Sequence, residues 1–182
     1  MIINMPSLFF SGNCLAGAEI VKSIRRLGDL SGIFGDEASF AALPVDRPVY
    51  EVYSHLPVRE GTPGGLYFGL TKLYPGKVGQ EYFMTKGHYH QQADRMEYYW
   101  CLEGEGMLIL MDCARKIWAE KMFPGSLHAI PGGVAHRVAN TGCRVVSFAA
   151  CWPSDAGHNY AAIAAEGFSA RLVEVNENPQ FI

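Results

Sequence analysis

The chain has no long apolar run, little charge, and no cluster of charge of one sign. Nothing approaches the roughly 20 consecutive apolar residues that a spanning helix needs. Charged residues make up only 18% of the sequence, and the longest basic run is the Arg25-Arg26 pair. With a formal net charge of -3, neither nucleic acid nor an anionic membrane has an electrostatic footprint to bind, and neither is expected as a partner. Any anionic ligand has to be held by a few local groups. Residues 1–18 are fairly apolar, but the first basic residue is Lys22; the charged start of a secretory signal is missing, and a cytoplasmic protein is expected. Five cysteines (Cys14, Cys101, Cys113, Cys143, Cys151) are scattered, odd in number and form no Cys-x-x-Cys. That pattern reads as reduced thiols packed like small apolar side chains. No two histidines stand three or four residues apart, the spacing that would pair ligands on a helix.

What the chain does have is a histidine pair at strand spacing. His88 and His90 are two apart, Glu97 follows seven later, and His136 lies in a second segment with Gly125, Pro131, Gly133 and Asn140. Strand side chains alternate with a period of two, so both rings of a His-x-His pair fall on one face. Three neutral imidazoles and one carboxylate suit one divalent ion of manganese, iron, cobalt, nickel or zinc, and ligand type does not choose among them; iron or manganese is the expectation. The plain alternative is a metal-free pocket of hydrogen-bonded histidines. His55 and His128 each stand alone and read as polar surface or core residues.

The 182 residues, 49% of them apolar, suit a single domain. From residue 49 onward short β-like runs (49–53, 65–73, 81–89, 96–102, 106–112, 114–122, 127–130, 136–140, 144–152) are separated by Pro-Gly and Gly-rich breaks. Regular short strands with tight turns predict an all-β antiparallel fold, a jelly-roll β-barrel over about 49–153. A 1–48 arm and a 154–182 extension, both with minor helix, flank it. Residues 16–27 show helix-like spacing of Ile20, Ile24 and Leu27, although this arm equally suits an edge strand. Residues 156–166 suit a short helical turn and 171–175 a last strand.

The second segment fits the cupin pattern G-x5-P-x-G-x2-H-x3-N at every fixed position. The first fits G-x5-H-x-H-x3,4-E-x6-G less closely: Tyr82 occupies the leading glycine position and six residues separate His90 from Glu97, while Glu97-x6-Gly104 is kept. With that longer gap, Thr85-Lys86-Gly87-His88-Tyr89-His90 and Gly104-Glu105-Gly106, the chain resembles the cupin-type phosphoglucose isomerases first known from archaea. Ser23-Ile24-Arg25-Arg26-Leu27, Val49-Tyr50-Glu51-Val52-Tyr53, Leu73-Tyr74-Pro75-Gly76-Lys77-Val78-Gly79 and Asp155-Ala156-Gly157-His158-Asn159-Tyr160 extend the resemblance from about residue 20 to 160. It departs at Asn159, where the family is expected to prefer an acid, and in the N-terminal arm.

The resemblance implies a glucose-6-phosphate isomerase of glycolysis and gluconeogenesis, acting on a phosphorylated sugar. It places the metal on His88, His90, Glu97 and His136, and the phosphate on Thr71, Thr85 and the Gly87 backbone with Tyr50 and Tyr160; Lys86 is added here from its position. Read alone, the tyrosines suit packing, the threonines ordinary strand positions, Gly87 a tight fit beside a ligand strand, and His158 a loop histidine. Glu97 is the favoured base for a cis-enediol route. A carboxylate beside a cation is a weakened base, which leaves direct hydride transfer from C2 to C1 open. His158 and Tyr99 are candidates for ring opening and for moving oxygen protons. A homodimer is expected, because edge strands and apolar arms need covering. The same donor set also suits an Fe(II) cupin dioxygenase, and the pocket alone a non-catalytic sugar-binding module.

Overall fold

The computed structural model describes residues 2–182. The chain opens with a hairpin, β1 (Leu8–Ser11) and β2 (Cys14–Gly17), followed by β3 (Ile20–Arg26), a 3-10 turn (Leu27–Leu30) and a short helix, α1 (Glu37–Ala41). Ten strands follow: β4 (Pro48–His55), β5 (Leu66–Leu73), β6 (Lys77–Val78), β7 (Glu81–Tyr82), β8 (Glu97–Glu103), β9 (Gly106–Met111), β10 (Ile117–Met122), β11 (Leu127–Ile130), β12 (Ala135–Asn140) and β13 (Val146–Pro153). Helix α2 (Tyr160–Glu166) and the hairpin β14 (Leu172–Val175) with β15 (Asn178–Phe181) complete the chain.

All named strand pairs are antiparallel. The six-stranded sheet runs β11-β8-β13-β5-β4-β3, a three-stranded sheet runs β10-β9-β12, and β15-β14-β7-β6 forms a third. Among the described residues these ladders are separate sheets, not one continuous cylinder. One core joins them: Leu73, Tyr99 and Phe148 of the large sheet pack with Leu108, Leu110 and Val138 of the three-stranded sheet. The fold is mostly β and cupin-like, as the turn-punctuated runs predict.

Alternation is clearest in β8, where Glu97, Tyr99 and Cys101 are buried while Tyr98 and Trp100 face out. On β12 both faces are covered. Asn140, the last fixed residue of the second motif, is fully buried. Its amide donates to the Leu73 and Arg144 carbonyls at 2.9 and 2.8 Å and accepts from Gly142 N at 3.0 Å. The motif asparagine thus ties β12 to β5 and to the turn before β13.

Two expectations need correction. The helical reading of 16–27 gives way to its edge-strand alternative: β3 pairs with β4, with Ser23 opposite Val52 and Arg25 opposite Tyr50. The Ile20/Ile24 spacing of four satisfies both the helical and the strand period. β-branched Ile20, Val21 and Ile24, with an open edge on β4, favour the strand. The 81–89 run is not one strand. It breaks after β7 and continues as isolated bridges, His88 with His136 and Tyr89 with Asn159.

Candidate active site

The bridge between His88 and His136 is the scaffold of the site. His136 N donates to the His88 carbonyl at 3.0 Å and His88 N returns a bond at 3.2 Å. Just before His88 the backbone turns through Gly87 at φ +77°. A Cβ there would lie 2.9 Å from Arg137 Nε and 3.0 Å from the Phe168 ring, so this approach needs glycine. Alternation then aims His88 and His90 the same way even though the segment is irregular.

Opposite them, the inner face of β8 presents Glu97. Ligand atoms of His88, His90, Glu97 and His136 lie within 4.8 Å of one another. Glu97 Oε2 is 3.3 Å from His90 Nε2 and 3.0 Å from His136 Nε2. The second of these contacts lies outside hydrogen-bond geometry, leaving the Nε2 atoms of both His88 and His136 buried and without a hydrogen-bond partner. Carbonyls fix the opposite ring nitrogens. His90 Nδ1 donates to Arg95 O at 2.9 Å and His136 Nδ1 to Val134 O at 3.1 Å, so in the neutral rings each Nε2 is a lone pair facing the cluster, and His90 Nε2 donates to Glu97 only when that ring is protonated. Arg95 is itself clamped to Asp155 through bonds of 2.9 and 2.7 Å. This clamp joins the loop behind His90 to the segment that carries His158.

Electrostatics match the geometry. Burial, reinforced by the His136, His158 and His90 rings, holds the His88 imidazole well below its usual range and therefore neutral. Burial pulls on His90 the same way, but Glu97 and the Arg95 carbonyl together raise it. Burial would raise the Glu97 carboxyl; His136 and His90 outweigh it and hold it below the usual carboxylate range. Each buried nitrogen left unpaired costs about 1–3 kcal/mol. Three convergent imidazole nitrogens and a carboxylate fit a divalent cation, which would satisfy all of them at once.

Beside this cluster is a cavity of about 220 Å³ whose walls include Tyr50, Thr71, Thr85, Glu97, Tyr99 and Tyr160. The Thr85 hydroxyl oxygen accepts from Val138 N at 3.0 Å, leaving its proton to donate. Burial pushes the Tyr50 hydroxyl up to about 12 and Tyr99 well above its usual value, so both remain proton donors. His158 stands at the mouth, its ring centroid 4.4 Å from that of His88 and its plane stacked at 5° on Tyr160. Burial of the ring lowers its pKa, helped by His90 and His136 and opposed by Glu97 and Glu60. Asn159, where an acid was expected, caps α2 by accepting from Ala162 N.

Two predicted residues stand apart. Lys86 lines a neighbouring cavity, with Nζ 5.2 Å from the centroid of the Tyr160 ring. Gly87 is packed against Arg137 and Phe168. His128 is a buried polar residue outside the cluster, bonded to Ser126 and Glu120 at 2.9 and 2.6 Å. Arg25, Ser23, Ser54 and Trp152 also line the 220 Å³ cavity, and sequence reasoning missed them. Arg25 enters through the pairing of 20–26 with 48–55, which sets it across from Tyr50; in the sequence only the edge-strand alternative for 16–27 pointed that way.

A buried three-histidine, one-carboxylate cluster beside a polar cavity in an antiparallel β fold is the arrangement of a metal-site cupin. Residues 24–180 match the family model described as glucose-6-phosphate isomerase (GPI), and the chain belongs to that family. It is 45% identical over 157 residues to the glucose-6-phosphate isomerase of Thermococcus litoralis, covering 85% of this chain and 82% of that protein. Identity to the Pyrococcus abyssi enzyme is 43% over 169 residues, covering 92% of this chain and 87% of that one. Among solved structures, a Bacillus subtilis oxalate decarboxylase variant aligns with TM-score 0.48 and 17% identity, over 63% of this chain and 28% of that one.

Proposed function

We propose that this protein is a metal-dependent glucose-6-phosphate isomerase interconverting glucose 6-phosphate and fructose 6-phosphate. The observation that carries this reading is the convergence of His88, His90, Glu97 and His136 in a member of that family, beside a cavity lined with hydroxyl groups. The four residues would hold one divalent ion, iron or manganese before zinc, nickel or cobalt. That ion would supply Lewis-acid stabilisation of negative charge on the sugar oxygens.

The chain's own groups do the rest. Thr71, Thr85, Tyr50 and Tyr160 hold the phosphate through hydrogen bonds from the cavity wall, and the Gly87 backbone, set back from that wall, is the further donor the family resemblance implies. Arg25 contributes a guanidinium from the cavity wall, and Lys86 contributes charge from behind Tyr160. Binding energy from the phosphate positions C1 and C2 against Glu97. Glu97 takes the C2 proton; the electron pair forms the C1–C2 double bond as the C1 carbonyl pair moves onto O1, which is protonated to give the cis-enediol. Loss of the O2 proton then forms the C2 carbonyl while the double-bond pair takes the proton from Glu97 at C1, giving the ketose. His158 and Tyr99 open the ring and move protons between the two oxygens. Because its imidazole partners hold Glu97 below the usual carboxylate range, it is a weak base. Hydride transfer from C2 to C1 is therefore the alternative route.

One domain over 1–182, with its main unit of packed antiparallel sheets, expected from the sequence as a barrel, at 49–153, a 1–48 arm and a 154–182 extension, is proposed to work as a cytoplasmic homodimer. Tyr98, Trp100 and Leu127, exposed on β8 and β11, form the face a second copy would cover. Light scattering at working concentration tests the dimer, and a monomer contradicts it. The function is tested by supplying metal-loaded protein with fructose 6-phosphate and reading NADPH from coupled glucose-6-phosphate dehydrogenase, anaerobically. NADPH formation that depends on manganese or iron is expected. No signal with either metal defeats the isomerase reading, and an oxygen requirement would favour the dioxygenase.

A further inference from the structure

His136 and Arg137 are consecutive on β12 and point to opposite faces. On the Arg137 side lies a second cavity of about 390 Å³. Among the described residues it shares no lining residue with the cavity beside the metal cluster. Arg137 is only 7% exposed and stacks on Phe168, 3.8 Å from guanidinium carbon to ring centroid. Its donors are poorly used. One terminal nitrogen donates to Met84 Sδ at 3.0 Å, a weak acceptor, and Nε is buried with no partner.

Glu81 acts on the Arg137 charge across the cavity, but no carboxylate bonds to the guanidinium, and a buried charge left without a bonded partner is a costly arrangement. The two acids in the cavity wall are engaged elsewhere. Glu81 accepts from Gly35 N at 2.6 Å and lies 4.0 Å from Arg171 Nε; Glu166 pairs with Arg115 at 2.9 Å. Lys86 and Arg171 add two further cations to the lining, while Ile109 and Phe168 give it apolar walls. A cationic base with apolar sides fits an anion that carries a carbon body better than a bare inorganic ion. The planar fork of a guanidinium matches the two oxygens of a carboxylate.

We propose that this cavity is a second ligand site, for a small organic carboxylate whose head meets the terminal nitrogens of the Arg137 guanidinium, one of which makes no bond within the chain, while its carbons lie against Ile109 and Phe168. Its cavity is separate from the sugar phosphate site; the one residue the two readings share is Lys86, which lines this cavity and reaches the other through Tyr160. The test is calorimetric titration of succinate into metal-loaded protein already equilibrated with saturating fructose 6-phosphate, which keeps the first cavity filled. Saturable binding of one succinate per chain is expected, weakened about tenfold or more in Arg137→Leu. Arg171→Ala, which changes a half-exposed side chain at the same cavity, should weaken it about threefold, and it decides the matter if Arg137→Leu does not fold. No saturable binding, or binding unchanged in the folded variants, overturns the proposal. Inorganic phosphate binding more tightly than succinate with the same Arg137 dependence overturns the carboxylate assignment.

Discussion

His136 Nε2 lies 3.0 Å from Glu97 Oε2, with the two side chains only 1% and 6% exposed. An ion pair confined to these two would leave His88 Nε2 unpartnered beside them. A shared divalent ion removes that cost. His136→Ala should therefore abolish both metal content and turnover. His128→Ala is the matched control: His128 is also buried, but it is bonded to Ser126 and Glu120. That variant should keep its metal and lose about 1–3 kcal/mol of stability from the stranded partners. Elemental analysis and thermal denaturation read the two outcomes, and metal retention in His136→Ala would contradict the site.

Metal binding should weaken on acidification, with His90 as the group that sets the onset. Glu97 and the Arg95 carbonyl raise its imidazole above 6.5 against the pull of burial, so in the metal-free protein His90 takes a proton before an ordinary histidine does. The stabilisation that proton brings to the metal-free fold is fully present below about 6.5. It is lost as pH rises through the raised value. Metal competes with the same proton, and its apparent affinity falls as pH drops toward and below that value. His88, held well below 6.5, stays neutral through the same window. Equilibrium dialysis at about pH 8 and about pH 5.5 should show clear loss of metal at the lower value; equal retention would contradict the competition.

Arg25 is the cation inside the cavity, whereas Lys86 reaches it only through Tyr160. Arg25→Ala should raise KM for fructose 6-phosphate by about tenfold or more, the loss expected from a charge-assisted hydrogen bond. Lys86→Ala should raise it less. In both variants kcat should change less than KM, because the phosphate interaction is made in ground and transition states alike. Steady-state kinetics decide the order, and a larger effect from Lys86 reverses the assignment.

Much of the site was legible because its chemistry follows a two-residue period. His88 with His90, and Glu97 with Tyr99, fall on common faces by alternation alone, and the second motif placed His136 and Asn140 together. Arg25 was hidden for a different reason. Ile20 and Ile24 satisfy the helical and the strand period at once, and only pairing with β4, a tertiary fact, turns that segment into a strand that carries Arg25 to Tyr50. The break in 81–89 follows from the left-handed turn at Gly87, whose need for glycine depends on Arg137 and Phe168, the latter 81 positions along the chain. Nothing in the sequence singles out Arg137; only in the fold does the Phe168 ring stack on its guanidinium.

The proton-transfer route makes an isotopic prediction. Substrate deuterated at C2 and isomerised in ordinary water should lose label, because a proton held on Glu97 exchanges with solvent before it returns to C1. Product analysis by mass spectrometry reads this directly. Quantitative retention of the label would defeat the cis-enediol route and favour hydride transfer.

The central claim is that His88, His90, Glu97 and His136 hold a single divalent ion. Crystals grown with manganese and measured for anomalous scattering test it most directly. One anomalous peak per chain, enclosed by the three Nε2 atoms and the Glu97 carboxylate, is the predicted result. No peak between them, with the four side chains turned apart, would contradict it.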